Sequence, residues 1–396
     1  MSQTLLIVTG ALDIGGTEHH LIQVLPCLPQ TDWRVIVYTV SHKGGLAPKV
    51  EAAGIPVIEP PFSALIRRRL GRVGRRALLP FLSASNLLYV MLRHRPAIVH
   101  FFLPEAYLVG GVCAHVARCP VRVMSRRSLN VYQRGQHLAA RVERWLHGHM
   151  RAILGNSRAV IDELRAEGVP DDRLGLIYNG IDVATYADAC RVARATLDVA
   201  DDALVLITVA NLIAYKGHAD LLAALAKISD TLPVGWRLLC VGRDDGYGAE
   251  LSKRAASLGL RDHVRWFGER SDVPALLACA DIGILCSHQE GFANSVLEGM
   301  AAGLPMVVTD VGGNREAVED GVSGVVVPAH DPQALGTAIA ALAQNPARRT
   351  AMGAAGRRRV AETFSLDACA QRYVRLYGAL SAGSDDAVAA MIETDQ

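Results

Sequence analysis

Residues 281–311 read DIGILCSHQEGFANSVLEGMAAGLPMVVTDV. The apolar, β-branched runs DIGILCS and PMVVTD predict strands, and NSVLEGMAA between them predicts a helix. A strand, a helix and a second strand in this order form the crossover unit of a parallel sheet. The stretch also places two glutamates, Glu290 and Glu298, around a turn of small and apolar residues. Acids are rarely buried without a partner, so these two indicate a binding site.

The same alternation extends along most of the chain. The predicted strands are TLLIVTG, WRVIVYTV, PAIVHFF, VRVMS, RAILGN and LGLIYNGID in the first half, and ALVLITVAN, WRLLCVG, HVRWFG, DIGILCS, PMVVTD and SGVVVP in the second. Helices are predicted from about residue 332 to 380. The fold class is therefore α/β, with two Rossmann-like domains whose parallel sheets face each other across a cleft.

The predicted domain boundaries follow from this alternation. Residues 1–185 form an N-terminal Rossmann-like domain, and residues 186–365 form a C-terminal Rossmann-like domain. A helix over 366–382 packs back toward the N-terminal domain, and 383–396 is a polar tail. The first 185 residues carry 22 basic and 13 acidic side chains, whereas the remainder carries 19 and 26. Charges of opposite sign indicate different tasks for the two halves.

Composition excludes several classes of protein. A hydrophobic content of 51% with 20% charged residues is that of a globular chain. The eight cysteines form no C-x-x-C pair and no cluster at zinc-ligand spacing, so reduced thiols and no metal site are predicted. The N-terminus lacks a signal peptide, and no apolar run reaches the roughly 18 residues of a membrane span. We therefore predict a cytoplasmic protein.

Loops at the carboxyl ends of strands should hold the ligand, because open parallel sheets bind there. Gly15 and Gly16 precede an amphipathic helix, whose N-terminal amides form an anion site; the alternative is that they only shape a tight turn. Asn211 and Lys216 lie between a strand and a helix. The ammonium group there neutralises a diphosphate; the alternative is a solvated lysine.

The two glutamates flank the start of one helix. Ser295 and Glu298 have the S-x-x-E form of a capping box, which is the structural alternative for Glu298. Glu290 precedes the helix and has no such alternative. Two carboxylates that accept hydrogen bonds from hydroxyls, on either side of an anion-binding turn, describe a site for a sugar nucleotide. A glycosidase pair would instead face each other across one bond.

At this point a family resemblance is evident. The segment EGFANSVLEGMAAGLPMVVTDVGGNREAV resembles the E-x7-E region of family 4 retaining glycosyltransferases, which have the GT-B fold. The resemblance covers nearly the whole chain in the family's order. It includes GGTEHHLIQVL, AIVHFFLPEAYLVG, VMSRRSLNVYQ, ILGNSRAV, LIYNGID, ANLIAYKGHADLL, VRWFGERSDVPALLACADIGILCS and DGVSGVVVP.

The resemblance implies that residues 1–185 form the acceptor-binding domain and residues 186–365 the nucleotide-sugar-binding domain. It also implies a role for each matching residue. Glu290 would bind hydroxyls of the donor sugar, Glu298 the ribose, and Lys216 the diphosphate. A turn would cradle the diphosphate and the sugar; it consists of Gly291, Phe292, Ala293 and Asn294. Phe267 and Arg270 would lie near the base, and Gly15 and Gly16 near the donor phosphates. Such enzymes generally need no metal and no other cofactor, since the lysine and amide dipoles take over that task.

Two positions depart from the family pattern. The family often has an arginine where this chain has Asn211. The absence of that charge weakens one predicted diphosphate contact. It also often has a second histidine shortly after the V-H of the strand, where this chain has Phe102. A catalytic or sugar-contacting role for His100 therefore stands beside the alternative of a structural histidine at a strand end.

Residues 62–96 contain eight arginines and no acid, interleaved with apolar side chains. This pattern favours an anionic membrane surface, at about 1 kcal/mol per cation near it. Stacking aromatics are few, so nucleic acid is not predicted; a solvated helix face is the alternative. The predicted membrane-contacting residues are Arg67, Arg68, Arg69, Arg72, Arg75 and Arg76.

The sequence thus predicts a retaining, metal-independent glycosyltransferase. It would move a sugar from a nucleoside-diphosphate sugar to a hydroxyl of a lipid-linked or cell-envelope saccharide, on the inner face of the cytoplasmic membrane. Two alternatives stay open. One is a sugar-nucleotide epimerase of similar two-domain fold, and the other is a non-catalytic sugar-nucleotide-binding protein in polysaccharide assembly.

Overall fold

The structure is a computed structural model that describes residues 3–13, 15–28, 32–61, 72–130, 135–384 and 388, with 72–77 described by their backbone alone. It divides into two compact units. Unit 1 comprises Met1–Gly180 and Leu366–Gln396, and unit 2 comprises Ile181–Ser365. The division after Gly180 falls five residues before the predicted boundary at 185.

The strands coincide with the predicted runs, apart from one addition. They are β1 (Gln3–Ala11), β2 (Trp33–His42), β3 (Val57–Ile58), β4 (Ile98–Phe102), β5 (Val121–Arg126), β6 (Ala152–Gly155), β7 (Leu174–Leu176), β8 (Val205–Val209), β9 (Arg237–Val241), β10 (Val264–Gly268), β11 (Ile282–Leu285), β12 (Met306–Thr309) and β13 (Gly324–Val327). The addition is β3, a two-residue strand that pairs with β2.

Helices connect the strands. They are α1 (Gly16–Val24), α2 (Ala47–Ala52), α3 (Arg72–His94), α4 (Pro104–Val116), α5 (His137–His147), α6 (Arg158–Ala166), α7 (Val183–Ala187), α8 (His218–Ile228), α9 (Gly248–Ser257), α10 (Val273–Leu277), α11 (Asn294–Ala301), α12 (Asn314–Ala317), α13 (Pro332–Ala343), α14 (Pro346–Thr363) and α15 (Leu366–Ser381). Among the described residues, no helix has both the length and the apolar character needed to cross a bilayer.

Each unit is built on one parallel sheet. In the described residues, the strand order is β3-β2-β1-β4-β5-β6-β7 in unit 1 and β10-β9-β8-β11-β12-β13 in unit 2. In both units, helices cover the two faces, so the central strands are buried on both sides. This explains why β1 reads as an unbroken apolar run, Leu5 to Val8, with each side chain fully buried. The predicted α/β class with two Rossmann-like domains is confirmed.

The C-terminal helix α15 belongs to unit 1. Tyr373 and Tyr377 on this helix are buried in the same apolar cluster as Trp33 of β2, and the rings of Trp33 and Tyr377 lie 6.0 Å apart. The thiol of Cys369 donates to the carbonyl of Tyr178 at 3.2 Å. The chain therefore returns to its first sheet after completing the second.

The strand order locates the binding edge of each unit. In unit 2, chain order reverses between β8 and β11, which are adjacent although two strands separate them in sequence. Loops that leave such a pair in opposite directions open a crevice at the carboxyl ends of the strands. The loop after β8 carries Lys216, and the loop after β11 carries Glu290.

Between β7 and β8, the chain forms a short helix, α7, and a 3₁₀ turn at Arg194–Leu197. The predicted membrane-contacting arginines fall outside the described residues, or have side chains that do: Arg67, Arg68, Arg69, Arg72, Arg75 and Arg76.

Candidate functional site

The centre of the candidate site is an ion pair at the β8/β11 crevice of unit 2. The ammonium Nζ of Lys216 lies 2.6 Å from Oε1 of Glu290, and both side chains are mostly buried, with 19% and 10% of their surface exposed. Sequence analysis assigned the two residues to separate partners, a diphosphate and a sugar. The structure brings them together without testing those roles.

The lysine is held by its neighbouring glycine. Ala214–Lys216 form a 3₁₀ turn, and Gly217 then adopts φ +73°, a left-handed conformation that favours glycine. A Cβ on Gly217 would lie 1.9 Å from the carbonyl oxygen of Cys286, at the end of β11. The loop after β8 is thus packed directly against the loop after β11.

The glutamate is held by a second glycine. Gly312, which follows β12, has φ +51°, and a Cβ there would lie 1.9 Å from the carbonyl oxygen of Glu290. The amide of Gly313 donates to the carbonyl of Gly291 at 2.8 Å. The segment after β12 therefore fixes the backbone that carries the Glu290 carboxylate.

The environment keeps the lysine charged. Burial lowers the pKa of Lys216, but the charge of Glu290 and its hydrogen bond outweigh burial, and the pKa is raised from its usual value. The ammonium ion is therefore present at neutral pH. A fixed cation in a partly buried crevice is a strong partner for an anionic ligand.

The turn after Glu290 leads into α11. Ala293 is the N-cap residue, so α11 begins at Asn294, four residues after Glu290. Phe292 is buried with its ring 5.4 Å from that of Phe364. The capping-box alternative is wrong, since Ser295 lies inside the helix and no described side chain caps its start. The positive end of the α11 dipole thus lies at the turn that follows Glu290.

Glu298 has a different partner, which the sequence did not reveal. The hydroxyl of Tyr186, on α7, hydrogen-bonds to its carboxylate. Desolvation by burial raises the pKa of Glu298 to about 7, although the hydrogen bond from Tyr186 acts in the opposite direction. Its carboxyl group is therefore a mixture of neutral and charged forms near neutral pH.

This raised pKa predicts a pH dependence of stability. Below about pH 4.5 the Glu298 carboxyl is neutral in both the folded and the unfolded chain, and above about pH 7 it is charged in both. Between these values the unfolded chain binds fewer protons, so stability falls as pH rises. We expect Glu298→Gln to raise the melting temperature relative to wild type at about pH 8 more than at about pH 5. Glu362→Gln, which alters an exposed carboxylate on α14, is the control; the same pH trend in both variants would contradict the prediction.

Asn211 is engaged with the loop after β9. Its amide group donates to the carboxylate of Asp245 at 3.1 Å, and its carbonyl accepts from the amide of Arg243 at 3.2 Å. The Arg243 guanidinium in turn pairs with Asp245 at 2.6 Å. Where the family often has an arginine, this chain thus has an amide held beside an arginine from the neighbouring loop. The diphosphate contact of Asn211 stays a prediction.

The predicted base-binding loop follows β10. The guanidinium of Arg270 lies 5.7 Å from the ring centre of Phe267 and pairs with Asp272 at 2.6 Å. Phe267 is half-buried and Arg270 is exposed. An aromatic ring and a planar cation at the carboxyl end of a strand suit the stacking of a base, and their role in base binding stays a prediction.

Three of the predicted site residues, Gly15, Gly16 and His100, lie in unit 1. Gly15 is the N-cap residue of α1, and Gly16 is its first residue, so their amides begin a helix as expected. His100 lies in β4, and its contacts match the alternative of a structural histidine. It is fully buried, and its two ring nitrogens lie 2.8 Å from the hydroxyls of Tyr377 and Ser125. Burial lowers its pKa well below the usual value, so both nitrogens of a neutral ring are already bonded.

Comparison with known proteins identifies the family. The profile described as Glycosyltransferase Family 4 matches residues 14–185, and that described as Glycosyl transferases group 1 matches residues 191–359. The D-inositol 3-phosphate glycosyltransferase of Geodermatophilus obscurus is 30% identical over 400 residues, which cover 93% of this chain and 86% of the relative. The chain belongs to glycosyltransferase family 4.

Other relatives match this family 4 chain over different shares of their length. The protein of the same name from Streptosporangium roseum is 34% identical over 220 residues, and the match spans about half of each chain, 53% and 50%. The match to the Salinispora tropica protein of that name likewise covers 46% of its length. The protein of that name from Thermomonospora curvata is 28% identical over 404 residues, which cover 93% of this chain and 91% of the relative.

Solved structures support the same fold. The Anabaena protein HepE, crystallised with UDP-glucose, superposes with a TM-score of 0.81 at 23% identity over 95% of this chain and all of its own. Sucrose-phosphate synthase from Thermosynechococcus elongatus has a TM-score of 0.78 at 23% identity over 96% of this chain. The predicted GT-B fold and the membership of the predicted glycosyltransferase family are confirmed.

Proposed function

We propose that this family 4 glycosyltransferase moves a sugar from a nucleoside-diphosphate sugar to an acceptor hydroxyl, with retention at the anomeric carbon and without a metal ion in the transfer step. The observation that carries the proposal is the Lys216–Glu290 pair at the strand-order reversal of unit 2. The pair supplies one cation for phosphate oxygens and one carboxylate for hydroxyls.

The bond changes balance as follows. The bond from the anomeric carbon to the diphosphate oxygen breaks, and the acceptor oxygen forms the new bond on the same face of the ring. The acceptor's proton passes to the departing phosphate oxygen. Negative charge thus grows on the diphosphate, where Lys216 and the positive end of the α11 dipole stabilise it in fixed positions. Glu290 holds the sugar hydroxyls and orients the ring.

The ion pair itself suggests how binding proceeds. A diphosphate oxygen that approaches Lys216 competes with Glu290 for the ammonium group, which leaves carboxylate lone pairs for the sugar hydroxyls. Ligand binding thus replaces the contact between the two side chains by contacts of each side chain with the ligand. Neither buried charge is left without a hydrogen-bonding partner. Gly217 and Gly312 keep both backbones in place during this exchange.

The acceptor has two candidates. Sequence analysis favours a lipid-linked or cell-envelope saccharide, and the names of the relatives favour a phosphorylated cyclitol, D-inositol 3-phosphate. Both belong in one acceptor panel, with UDP-glucose as the first donor to be tested because HepE binds it.

The proposal is tested by incubating the full chain with UDP-glucose and other nucleotide sugars, with and without the acceptor panel, in excess EDTA. Transfer that requires acceptor and gives a product with the donor's anomeric configuration by NMR supports it. Conversion of the donor without acceptor indicates an epimerase, and tight donor binding without turnover across the panel indicates a binding protein. Loss of transfer in EDTA that excess Mg²⁺ restores, with no Zn²⁺ added, overturns the metal-independent step.

We further propose that α3 rests on the inner, anionic face of the cytoplasmic membrane. Four large apolar side chains are exposed on one face of this helix, at spacings of three, eight and three residues: Leu78, Phe81, Tyr89 and Leu92. The arginine-rich stretch of 67–76 precedes and begins the same helix. Apolar side chains beside clustered cations are typical of interfacial helices.

We expect Phe81→Ser with Leu92→Ser to reduce flotation with vesicles that contain anionic lipid, and replacement of the 67–76 arginines by glutamine to reduce it further. The reasons are lost apolar burial in the first case and lost attraction to the lipid headgroups in the second. Val234→Ser, which alters an exposed side chain of unit 2, is the control. Flotation equal to wild type in both variants would refute membrane contact.

A further inference from the structure

Three side chains from separate segments of unit 2 converge beside the candidate site. Asp220 lies in the first turn of α8, His288 in the loop after β11, and His330 in the loop after β13. One nitrogen from each histidine and one carboxylate oxygen all lie within 4.8 Å of one another. Positions 220, 288 and 330 are far apart in the chain, so the spacing of the sequence does not reveal the cluster.

The contacts within this cluster are close. Nε2 of His288 lies 2.8 Å from Oδ2 of Asp220, and the rings of His288 and His330 are 3.8 Å apart between centroids. Asp220 and His288 are half-buried, whereas His330 is exposed. The set is therefore open to solvent on one side, which gives an ion from solution a path of entry.

The backbone holds the three residues in this arrangement. His330 has φ +60°, a left-handed conformation that is uncommon for residues other than glycine. Asp331 caps α13 by accepting from the amides of Gln333 and Ala334. The amide of His288 donates to the carbonyl of Tyr215 at 2.7 Å. The ring of His330 is thus placed over His288 by a fixed turn.

We propose that Asp220, His288 and His330 bind a divalent transition metal ion of the zinc class. Two imidazoles and one carboxylate are ligands that Zn²⁺ prefers, and three protein ligands leave a position open for water. Ligand atoms in a tetrahedral zinc site lie about 3.3–3.5 Å apart, given bonds of about 2.0–2.1 Å. Small side-chain rotations bring the three groups to these separations.

The site would brace the two loops that carry the Lys216–Glu290 pair. Asp220 is four residues after Lys216, and His288 is two residues before Glu290. An ion bound to Asp220 and His288 would link the start of α8, which follows the β8 loop, to the loop after β11. This link would be independent of the Lys216–Glu290 pair. The ion is not part of the transfer step, and its binding does not rest on the proposed function.

The test uses the full chain, stripped with EDTA and titrated with Co²⁺ as a spectroscopic substitute for Zn²⁺. We expect about one equivalent to give visible d–d absorption, which Zn²⁺ then displaces. His330→Ala and Asp220→Asn should each weaken binding by more than about tenfold, because even residues behind metal ligands cost 10–100-fold when replaced. His137→Ala, which removes an exposed histidine of unit 1, should leave binding unchanged.

A second readout separates metal binding from folding. Zn²⁺ should raise the melting temperature of the wild type and of His137→Ala, since an ion that binds only the folded state stabilises it. It should not raise that of Asp220→Asn, which retains a side chain of the same size. Absence of Co²⁺ absorption in the wild type, or equal affinity in His330→Ala, would overturn the proposal and leave a plain hydrogen-bonded histidine–aspartate contact. Binding through thiolates would be recognised by its persistence in His330→Ala.

Discussion

Replacement of Lys216 by alanine is expected to lower the rate of sugar transfer by about a hundredfold or more. The ammonium group is the charge that lies in the crevice to meet the departing diphosphate, and its raised pKa keeps it protonated. Removal also leaves Glu290 partly buried without its cation, 2.6 Å from where the ammonium stood. Loss of one preorganised charge-stabilising group typically reduces turnover on this scale.

The measurement is steady-state transfer with the donor and acceptor identified as above, together with the free energy of unfolding. Lys227→Ala is the matched control, since Lys227 lies exposed on α8 and contacts only the side chain of Gln333 among the described hydrogen bonds. The double variant Lys216→Ala/Glu290→Ala separates the two roles of the lysine. The double variant recovers any stability that is lost through the unpaired carboxylate, but its transfer stays low because it also lacks Glu290. Transfer by Lys216→Ala equal to that of the wild type would refute the diphosphate role.

Replacement of Gly312 by alanine is expected to impair both stability and donor binding. At φ +51° an added Cβ would meet the carbonyl oxygen of Glu290 at 1.9 Å, which is far inside van der Waals contact. The backbone of 290–291 must then shift, or Gly312 must leave its conformation. Overpacking of this kind costs about 1–3 kcal/mol beyond the cost of the left-handed backbone. The Glu290 carboxylate moves with its backbone, so donor affinity falls as well.

Gly321→Ala is a close control for this variant. Gly321 also has a positive φ, +77°, but a Cβ there would meet nothing within 4 Å. It should show the backbone cost alone, about 1–2 kcal/mol, with donor affinity unchanged. Both variants are compared by urea denaturation and by donor titration. Equal losses of stability in the two variants, with unaltered donor affinity, would show that the close approach to Glu290 is not what Gly312 provides.

Sequence patterns predicted the secondary structure well where strands are buried on both faces. Leu5 to Val8 illustrate this, because an unbroken apolar run has few other uses in a globular chain. The edge strand β3 was missed. Its two residues, Val57 and Ile58, lie between prolines at 56 and 60. They are recognised as a strand because they pair with β2. Pairing is a tertiary property that short segments do not signal.

The candidate site shows the same division. The resemblance of the E-x7-E segment and of the K-G loop pointed to the loops after β11 and β8 of unit 2. It did not predict that Lys216 and Glu290, 74 positions apart, form one ion pair. It also did not predict that Tyr186 bonds to Glu298, or that Ser125 and Tyr377 occupy the nitrogens of His100. Each depends on which side chains the folded chain brings into hydrogen-bonding contact, not on local pattern.

The amino-acid sequence by itself determined the α/β class, the two sheets, the family and the loops in which the polar residues stand. These follow from apolar periodicity and from motifs that act over a few residues. Only the tertiary structure decided the partners of the charged groups and the convergence of Asp220, His288 and His330. The physical reason is that charge pairing, desolvation and steric contact depend on distances in space, and the order of strands in a sheet, rather than the order of residues in the chain, sets those distances.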